Sequence, residues 1–436
     1  MMKKNRTIYF LLALVCLGLQ SCLFQEEDYF DDSSANRATA DVKRCSELLE
    51  AAPNGWVMEY YVGKDYSLGG ITLLCKFDGQ RVTMASQIAG ADETVSSLYS
   101  VKSEQATMLS FDTYNYLVHY FGQPQGSMAD DPNGTLGGDY EFVISDATAD
   151  RIELKGKKYG NRIVMKAFSA DQTWKQYLTR IKKVEDDAFF YEYDLRMDGL
   201  YTGQMLRSNY TFIVTYYDEV GKVYQKTVPF MFTTDGMRFH EPVTIDGQTM
   251  QNFVWKNEEI SFVCTDEGAT GVKMKGIYID GYQSYDYYPG TYLMDFYRLN
   301  GATNQLEVAS QEIQLVKNED GKSYWLKGLE YDILVTYDKP RGGLSILPQF
   351  LKKAQGGYVY LAMWDLMNDY VLRSSAIGLI SYPTTDGIYL VDNGVWMGEI
   401  SGFIFGVYDS QDEEASFMGY TDAVAAIRLI KKTIEE

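Results

Sequence analysis

Residues 71–86 have the sequence ITLLCKFDGQRVTMAS, a strong strand–turn–strand signal. Two apolar-rich runs flank Asp78-Gly79, a pair that accepts the positive φ angles of a type I′ turn, so the stretch predicts a β-hairpin. Similar runs, separated by glycine-containing turns, continue through most of the chain, as in all-β proteins. We therefore expect a mainly β fold. It should consist of two packed antiparallel β lobes, barrel-like or sandwich, with a few flanking helices.

A few segments instead show helical periodicity. Residues 36–51 place apolar side chains on one face and are followed by Pro53-Asn54-Gly55, which ends a helix. Residues 171–187 predict a second helix that closes the first domain, with Asp171 as its cap. Residues 421–434 predict a closing amphipathic helix. Residues 104–121 predict a helix or short helical pieces.

These elements divide the chain into four segments. They are a signal peptide at 1–21, an acidic tether at 22–35, an N-terminal β-rich domain at 36–187 and a C-terminal β-rich domain at 188–436. No Ser- or Pro-rich linker separates the two large segments, so we expect them to pack together.

Composition excludes some classes of function. Among the 436 residues, 60 acidic and 40 basic side chains give a net charge of −20, whereas a nucleic-acid-binding protein needs a basic surface. His119 and His240 are the two histidines, so zinc, haem and histidine-based catalysis have few candidate groups. We predict no cofactor, no bound metal and no nucleic-acid partner.

The first residues predict export and lipidation. Lys3, Lys4 and Arg6 precede an apolar run that is long enough for a signal peptide and too short to span a bilayer. Leu19-Gln20-Ser21-Cys22 then fits a lipoprotein cleavage site, so we predict that Cys22 carries acyl chains that hold the protein on a membrane. The alternative is an ordinary secretory signal with an incidental cysteine.

The cysteines that remain after Cys22 are Cys45, Cys75 and Cys264. An odd number allows at most one internal disulfide. Because each lies in an apolar-patterned segment, we expect buried free thiols.

Several segments occur in a characteristic order. They are Phe30-Asp31-Asp32, Ala52-Pro53-Asn54-Gly55-Trp56, Phe111-Asp112-Thr113-Tyr114-Asn115-Tyr116, Gly138-Asp139-Tyr140-Glu141-Phe142 and Leu154-Lys155-Gly156-Lys157-Lys158. Together they resemble the domain-of-unknown-function 4302 family of Bacteroidota surface lipoproteins over residues 22–170. The acidic residues after Cys22 likewise resemble the signal that sends such lipoproteins to the outer face of the outer membrane. The resemblance implies a setting near SusC/SusD-type importers and no established activity.

Motifs for catalysis are weak. The chain has no G-x-S-x-G elbow, H-E-x-x-H helix or P-loop. Asp130, Asp131, Asn133 and Asp139 fit an acidic surface loop better than a calcium site. Glycoside hydrolysis needs two carboxylates, and no pattern distinguishes such a pair among 60 acidic residues.

The chain is rich in tyrosine, with 36 residues, and this excess is informative about function. Its apolar face and hydroxyl suit sugar stacking and wet interfaces. The candidate ligand-binding residues are Tyr278, Tyr282, Tyr285, Tyr287, Tyr288 and Tyr292. Their Gly- and Asp-rich context predicts a loop, where binding residues concentrate. The alternative is that tyrosine simply covers β surfaces.

The favoured function is therefore a non-enzymatic, outer-membrane surface lipoprotein that binds a glycan or peptide beside a SusC/SusD-type importer. The first alternative is a glycoside hydrolase with an unidentified carboxylate pair. The second is a structural or adhesion protein whose Tyr-rich face binds another protein.

Overall fold

The computed structural model describes residues 33–124, 134–217, 220–354, 356–412 and 414–432. Cys22, the signal peptide, most of the tether and the acidic-loop residues Asp130, Asp131 and Asn133 lie outside the described residues. The prediction of a mainly β fold is confirmed. The prediction of two lobes is wrong, because three antiparallel β units follow one another along the chain.

The first unit is a closed eight-stranded barrel. Its strands are β1 (Trp56–Val62), β2 (Gly69–Asp78), β3 (Arg81–Ser86), β4 (Val95–Ser103), β5 (Thr107–Phe111), β6 (Glu141–Ala147), β7 (Arg151–Gly156) and β8 (Arg162–Ala167). The pairing of β8 with β1 closes it. Along β1, Met58 and Tyr60 point into the barrel core, whereas Glu59 and Tyr61 belong to the alternate, outward-facing row.

Helix α1 (Ser34–Ala51) packs on this barrel, which confirms the helix predicted at 36–51. The Ser33 side chain accepts a hydrogen bond from the Asn36 amide and caps the helix. Cys45 and Leu49 are buried against the barrel, and the Trp56 indole donates to the Leu49 carbonyl at 2.8 Å. The helix is therefore an integral part of the first core.

The segment 104–121 is only partly helical. Thr107–Phe111 forms strand β5, and the short helix α2 (Tyr116–His119) follows it. All five residues of β5 are buried between β4 and β6. β5 pairs with β4 through a local hairpin and with β6 across about 30 residues of sequence, and the second pairing is not visible in the local pattern.

Helix α3 (Trp174–Asp187) joins the first unit to the second and confirms the helix predicted at 171–187. Its cap is Thr173 rather than Asp171, because Thr173 and Gln176 form a reciprocal capping box. Lys182 on this helix donates to the Gln87 and Ala89 carbonyls of the first unit. Since Ile181 and Val184 belong to the core of the second unit, α3 packs on both barrels.

The second unit is another closed eight-stranded barrel. Its strands are β9 (Glu192–Met197), β10 (Leu200–Ser208), β11 (Thr211–Tyr217), β12 (Val223–Phe232), β13 (Gly236–Ile245), β14 (Gln248–Lys256), β15 (Ser261–Cys264) and β16 (Val272–Ile277). Strand β2 of the first barrel packs against β12. Gly69, with a φ of 71°, permits this close approach, because a Cβ there would lie 2.1 Å from the Tyr210 carbonyl oxygen.

The third unit is a twelve-stranded sheet. Its strands are β17 (Gly290–Asn300), β18 (Gln305–Lys317), β19 (Ser323–Lys327), β20 (Ile333–Asp338), β21 (Gly343–Ile346), β22 (Gln349–Ala354), β23 (Gly357–Asp365), β24 (Tyr370–Leu372), β25 (Leu379–Thr384), β26 (Gly387–Asp392), β27 (Gly402–Tyr408) and β28 (Phe417–Lys431). Pairing of β17 with β28 closes a ring of β17 to β21, β25, β26 and β28. Strands β27, β23 and β22 continue from β28.

The prediction of a closing helix at 421–434 is wrong, because this segment lies largely in β28. The spacing of Val424 and Ile427 fits one face of a helix, but an irregular strand can also place both side chains on the same side. Ala426 has a φ of 52°, and the pairing register with β17 shifts where Tyr297 pairs with Ala425. This irregularity lets Val424, Ile427 and Leu429 all enter the core from an extended strand.

No helix among the described residues combines the length and apolar character needed to cross a membrane. Cys45, Cys75 and Cys264 are free and buried, as expected. Burial raises the pKa of all three thiols, that of Cys264 to about 11.

We expect these thiols to resist Ellman's reagent in the folded chain of residues 23–436, because the thiolate is the reactive form and all three are buried. The measurement is absorbance at 412 nm before and after unfolding in guanidinium chloride. Unfolding should release three reactive thiols. Only one reactive thiol after unfolding would contradict the account, since it would reveal a disulfide.

Candidate functional site

The structure separates the six tyrosines predicted to bind a ligand. Tyr288 and Tyr292 are 0% exposed and belong to the core of the third unit. The Tyr288 hydroxyl donates to the Gly342 carbonyl, and the Tyr292 hydroxyl donates to the Tyr288 carbonyl. The prediction that these two residues contact a ligand is wrong, because their rings and hydroxyls are used inside the sheet.

The other four tyrosines lie in different surroundings. Tyr285 stacks on Tyr324 and donates to the Ser323 carbonyl. Tyr287 is 38% exposed beside Lys431. Tyr278 and Tyr282 pack with Phe189 near the junction of the second and third units. Tyr337 contacts Tyr282, Tyr285 and Tyr288, and Tyr287 packs on Tyr288. Because Tyr288 and Tyr292 are buried, the six residues nevertheless do not form one exposed aromatic platform.

The largest described cleft instead lies between the two barrels. Its volume is about 710 Å³, which falls within the range of small-molecule sites. One wall is the outer face of β1, β7 and β8, and the other is formed by β13 and β14. The main polar lining residues are Glu59, Arg151, Glu153, Lys155, Arg162, Lys166, Arg238, His240, Glu241, Gln251 and Asn252.

An ion-paired carboxylate links the two walls. Glu59 on β1 lies 2.5 Å from the Arg238 guanidinium on β13 and 2.7 Å from the Lys166 ammonium on β8. The Glu59 and Arg238 side chains are only 14% and 23% exposed. Burial alone would raise the pKa of Glu59. Arg238 and Lys166 together have the larger, opposite effect, so the pKa lies below its usual value. Glu59 is therefore ionised at neutral pH.

Strand register places cations opposite each other on the first wall. Arg151 on β7 pairs with Lys166 on β8, and Lys155 pairs with Arg162. Arg151 contacts Glu153 at 2.9 Å, and Lys166 contacts Glu59. Neither Lys155 nor Arg162 has a carboxylate within 4.0 Å among the described residues. This second pair is thus a like-charge pair without a nearby counterion.

A bulge on β13 brings His240 across to the first barrel. The pairing register of β13 with β14 shifts between Arg238 and Val243, and the Gln251 amide donates to the Phe239 carbonyl at 3.2 Å inside this bulge. The His240 ring lies 4.2 Å from the Tyr61 ring and 4.1 Å from the Tyr66 ring. Burial lowers the pKa of His240, with a smaller lowering from Arg238. A neutral imidazole between two tyrosines helps to close one end of the cleft.

The cleft has an unusual local charge for this chain. It contains five cationic and three acidic side chains, although acidic residues outnumber basic ones by 60 to 40 overall. Clefts lined by one sign of charge raise the local concentration of oppositely charged ligands. The geometry therefore suits an anionic or strongly hydrogen-bonding ligand.

His119 and Asp139, the other candidate groups from the sequence, lie outside this cleft. His119, the other histidine, packs 4.7 Å from Tyr140, and its Nδ1 contacts the Asn115 backbone. Among the described residues, no group of three His, Cys, Asp or Glu side chains is placed to hold a metal ion. Asp139, the one candidate calcium ligand described, accepts hydrogen bonds from the Lys158 and Tyr159 amides.

Sequence reasoning missed this cleft. The alternation in 151–155 predicted strand β7, and its outward row of Arg151, Glu153 and Lys155 could have been read from the same pattern. Which other strands face that row depends on closure of the first barrel and on the position of the second. No local signal connects Arg238 or His240 with them.

Comparison with known proteins places the cleft within one family match. The domain of unknown function DUF4302 matches residues 26–257, which is slightly more than half of the 436 residues. The chain belongs to the DUF4302 family. The resemblance to the domain-of-unknown-function 4302 family is therefore confirmed. The DUF4302 match includes every residue that lines the cleft, whereas a second domain of unknown function, DUF4987, matches residues 265–404 in the third unit and just before it.

Two solved structures are similar to this DUF4302 protein. A DUF3598-family protein of unknown function from Nostoc punctiforme is 7% identical with a TM-score of 0.15, and the match covers 57% of this chain and 99% of the other. Intact Ap-TbpB, with its N and C lobes, is 11% identical with a TM-score of 0.14, covering 84% and 67% respectively. No curated protein matches the chain.

Proposed function

We propose that this protein is a non-enzymatic surface lipoprotein, anchored through Cys22 to the outer membrane, that binds a glycan or peptide. Its partner in this proposal is a SusC/SusD-type importer, to which it supplies the captured ligand. The ligand occupies the cleft between the two barrels. Local concentration at the membrane comes from the acyl chains, since several chains together give stable anchoring.

The observation that carries this proposal is the polar, open cleft between β1, β7, β8, β13 and β14. Guanidinium, ammonium, amide and hydroxyl groups converge there from both barrels, as in sites that orient a ligand by hydrogen bonds. Glu59 and Arg238 link the two walls, which supports a preorganised site. A preformed site loses less conformational entropy when the ligand binds.

The surroundings of Glu59 and Glu153, two of the three carboxylates of the cleft, favour binding over glycoside hydrolysis. A glycosidase needs one carboxyl group with a raised pKa to act as general acid. The pKa of Glu59 is instead lowered, and Glu153 is engaged by Arg151. Asp139 has a raised pKa through burial, but it is not among the residues that line the cleft.

The test is an affinity screen of residues 23–436 on a glycan array and a peptide library. The decisive variant is Val164→Trp. Val164 lies on the outer face between Glu59 and Glu153, so the indole should fill the cleft without removing a charge. Val308→Trp is the matched control, because Val308 is 78% exposed on β18 of the third unit.

We expect one ligand class to be retained by the native chain and by Val308→Trp, and to be lost with Val164→Trp. Retention that Val164→Trp does not change would place the site elsewhere. Retention of no glycan and no peptide would overturn the binding function. Release of reducing sugar from a retained glycan would support the hydrolase instead.

A further inference from the structure

We propose that Lys155 and Arg162 form a subsite for the carboxylate groups of an acidic, uronate-type saccharide. This inference rests on the proposed binding function and names the class of ligand. The two residues lie directly opposite each other on β7 and β8, and both line the cleft between the barrels.

The first argument is that the Lys155–Arg162 pair is electrostatically unfavourable in the free protein. Side chains directly opposite on neighbouring antiparallel strands have Cβ atoms about 4.5–5.5 Å apart, and like charges there are destabilising. The other cations of the cleft contact carboxylates: Arg151 with Glu153, and Lys166 and Arg238 with Glu59. Lys155 and Arg162 have no carboxylate within 4.0 Å among the described residues. An anion between them would relieve the repulsion.

The second argument is a buried tyrosine hydroxyl in the same cleft. Tyr61 is 4% exposed and lines the cleft, and the Asn161 amide, next to Arg162, donates to its carbonyl. Among the described residues its hydroxyl makes no hydrogen bond of normal geometry, although it interacts with the nearby Arg238 guanidinium. A buried polar group without a well-formed hydrogen bond is costly, so a small side-chain adjustment toward a ligand oxygen would be favourable.

The remaining lining favours a saccharide over an acidic peptide. Strand β7, which carries Lys155, is paired with β6 and β8 along residues 152–155, so this part of the wall offers no free strand edge for a peptide backbone. The polar lining also includes Ser145 and the amides of Gln251 and Asn252. Such groups hydrogen-bond to sugar hydroxyls, while carboxylates accept from Arg and Lys.

The negative charge of the whole chain is a further reason to assign the binding of an acidic glycan to this cationic pair. A chain with net charge −20 repels polyanions generally, so uptake of an acidic glycan requires a local cationic site. Attraction within an open cleft should weaken with salt, because the Debye length falls from about 10 Å at 0.1 M to about 3 Å at 1 M.

The experiment is titration calorimetry of residues 23–436 with polygalacturonate and with its fully methyl-esterified form, at 0.1 M and 1 M salt. The variant is Lys155→Gln/Arg162→Gln. Its charge-matched control is Lys43→Gln/Lys175→Gln, on exposed positions of α1 and α3 outside the cleft. Poly-glutamate is the peptide comparison.

We expect polygalacturonate to bind and its ester to bind at least about tenfold more weakly, because hydrogen bonds to charged groups typically contribute that much or more. The cleft variant should lose a similar factor and most of the salt dependence, while the control keeps both. Equal binding of acid and ester, still blocked by Val164→Trp, would overturn the uronate subsite and leave the binding function intact. Tighter binding of poly-glutamate, or no effect of the cleft variant, would also overturn the subsite.

Discussion

Replacing Tyr288 by alanine should lower the free energy of unfolding of the third unit by about 3–5 kcal/mol, the usual cost of deleting a buried aromatic side chain. The ring is fully buried and lies 6.1 Å from Tyr324 and 6.2 Å from Tyr337. Its hydroxyl satisfies the Gly342 carbonyl at 2.8 Å. The substitution therefore removes packing and a buried hydrogen bond together.

Two further variants make this test specific. Tyr288→Phe keeps the ring and should cost about 1–3 kcal/mol, because the Gly342 carbonyl loses its partner. Tyr287→Ala should cost clearly less than Tyr288→Ala, because Tyr287 is 38% exposed, although its ring packs edge-on against Tyr288 at 5.2 Å. The measurements are chemical unfolding of the whole chain and hydrogen exchange, which resolves the three units separately. A Tyr288→Ala protein as stable as Tyr287→Ala would show that Tyr288 is not a core residue.

Replacing Glu59 by glutamine should destabilise the contact between the two barrels by about 2–3 kcal/mol. Removing one partner of a buried ion pair typically costs about 3–5 kcal/mol, and the partial exposure of Arg238 reduces this. The variant would leave Arg238 and Lys166 close together without their shared carboxylate. Glu153→Gln is the control, since its pair with Arg151 is exposed and contributes about 0–1 kcal/mol.

The same carboxylate predicts a pH dependence. Because the folded-state pKa of Glu59 is below its unfolded value, its stabilisation is fully present above about pH 4.3 and is lost as the pH falls through the folded-state pKa. The stability difference between the native chain and Glu59→Gln should therefore shrink on acidification. Urea unfolding at several pH values measures it. A difference that stays constant, or grows at low pH, would contradict the ion pair described here.

Local signals predicted the parts of the fold that local chemistry decides. Asp78-Gly79 located the hairpin to within one residue: Gly79 and Gln80 form the turn between β2 and β3, with Gly79 at a φ of 60°, and Asp78 pairs with Arg81. The helix α3 was predicted, but Thr173 and Gln176 fix its start two residues after the predicted cap Asp171. In these segments the residues that determine the structure are neighbours in sequence.

Non-local pairing explains the errors. The apolar spacing of 421–434 fits a helix, yet β17, β26 and β27 supply partners that make the segment a strand. The candidate tyrosines are neighbours in sequence, yet Tyr292 points inward from β17, and Tyr288, in the loop before that strand, is buried in the same core. Conversely, Glu59 and Arg238 are far apart in sequence and meet only because both barrels close and pack together.

Hydrogen–deuterium exchange of residues 23–436, with and without a saturating glycan identified in the affinity screen, tests the location of the binding site most directly. Bound ligand should slow exchange in β7, β8 and the bulge at residues 239–242, which all border the cleft. Val164→Trp should abolish this protection. Protection confined to residues 278–287, or to the exposed third-unit loops that carry Met367 and Met397, would contradict a binding site between the two barrels.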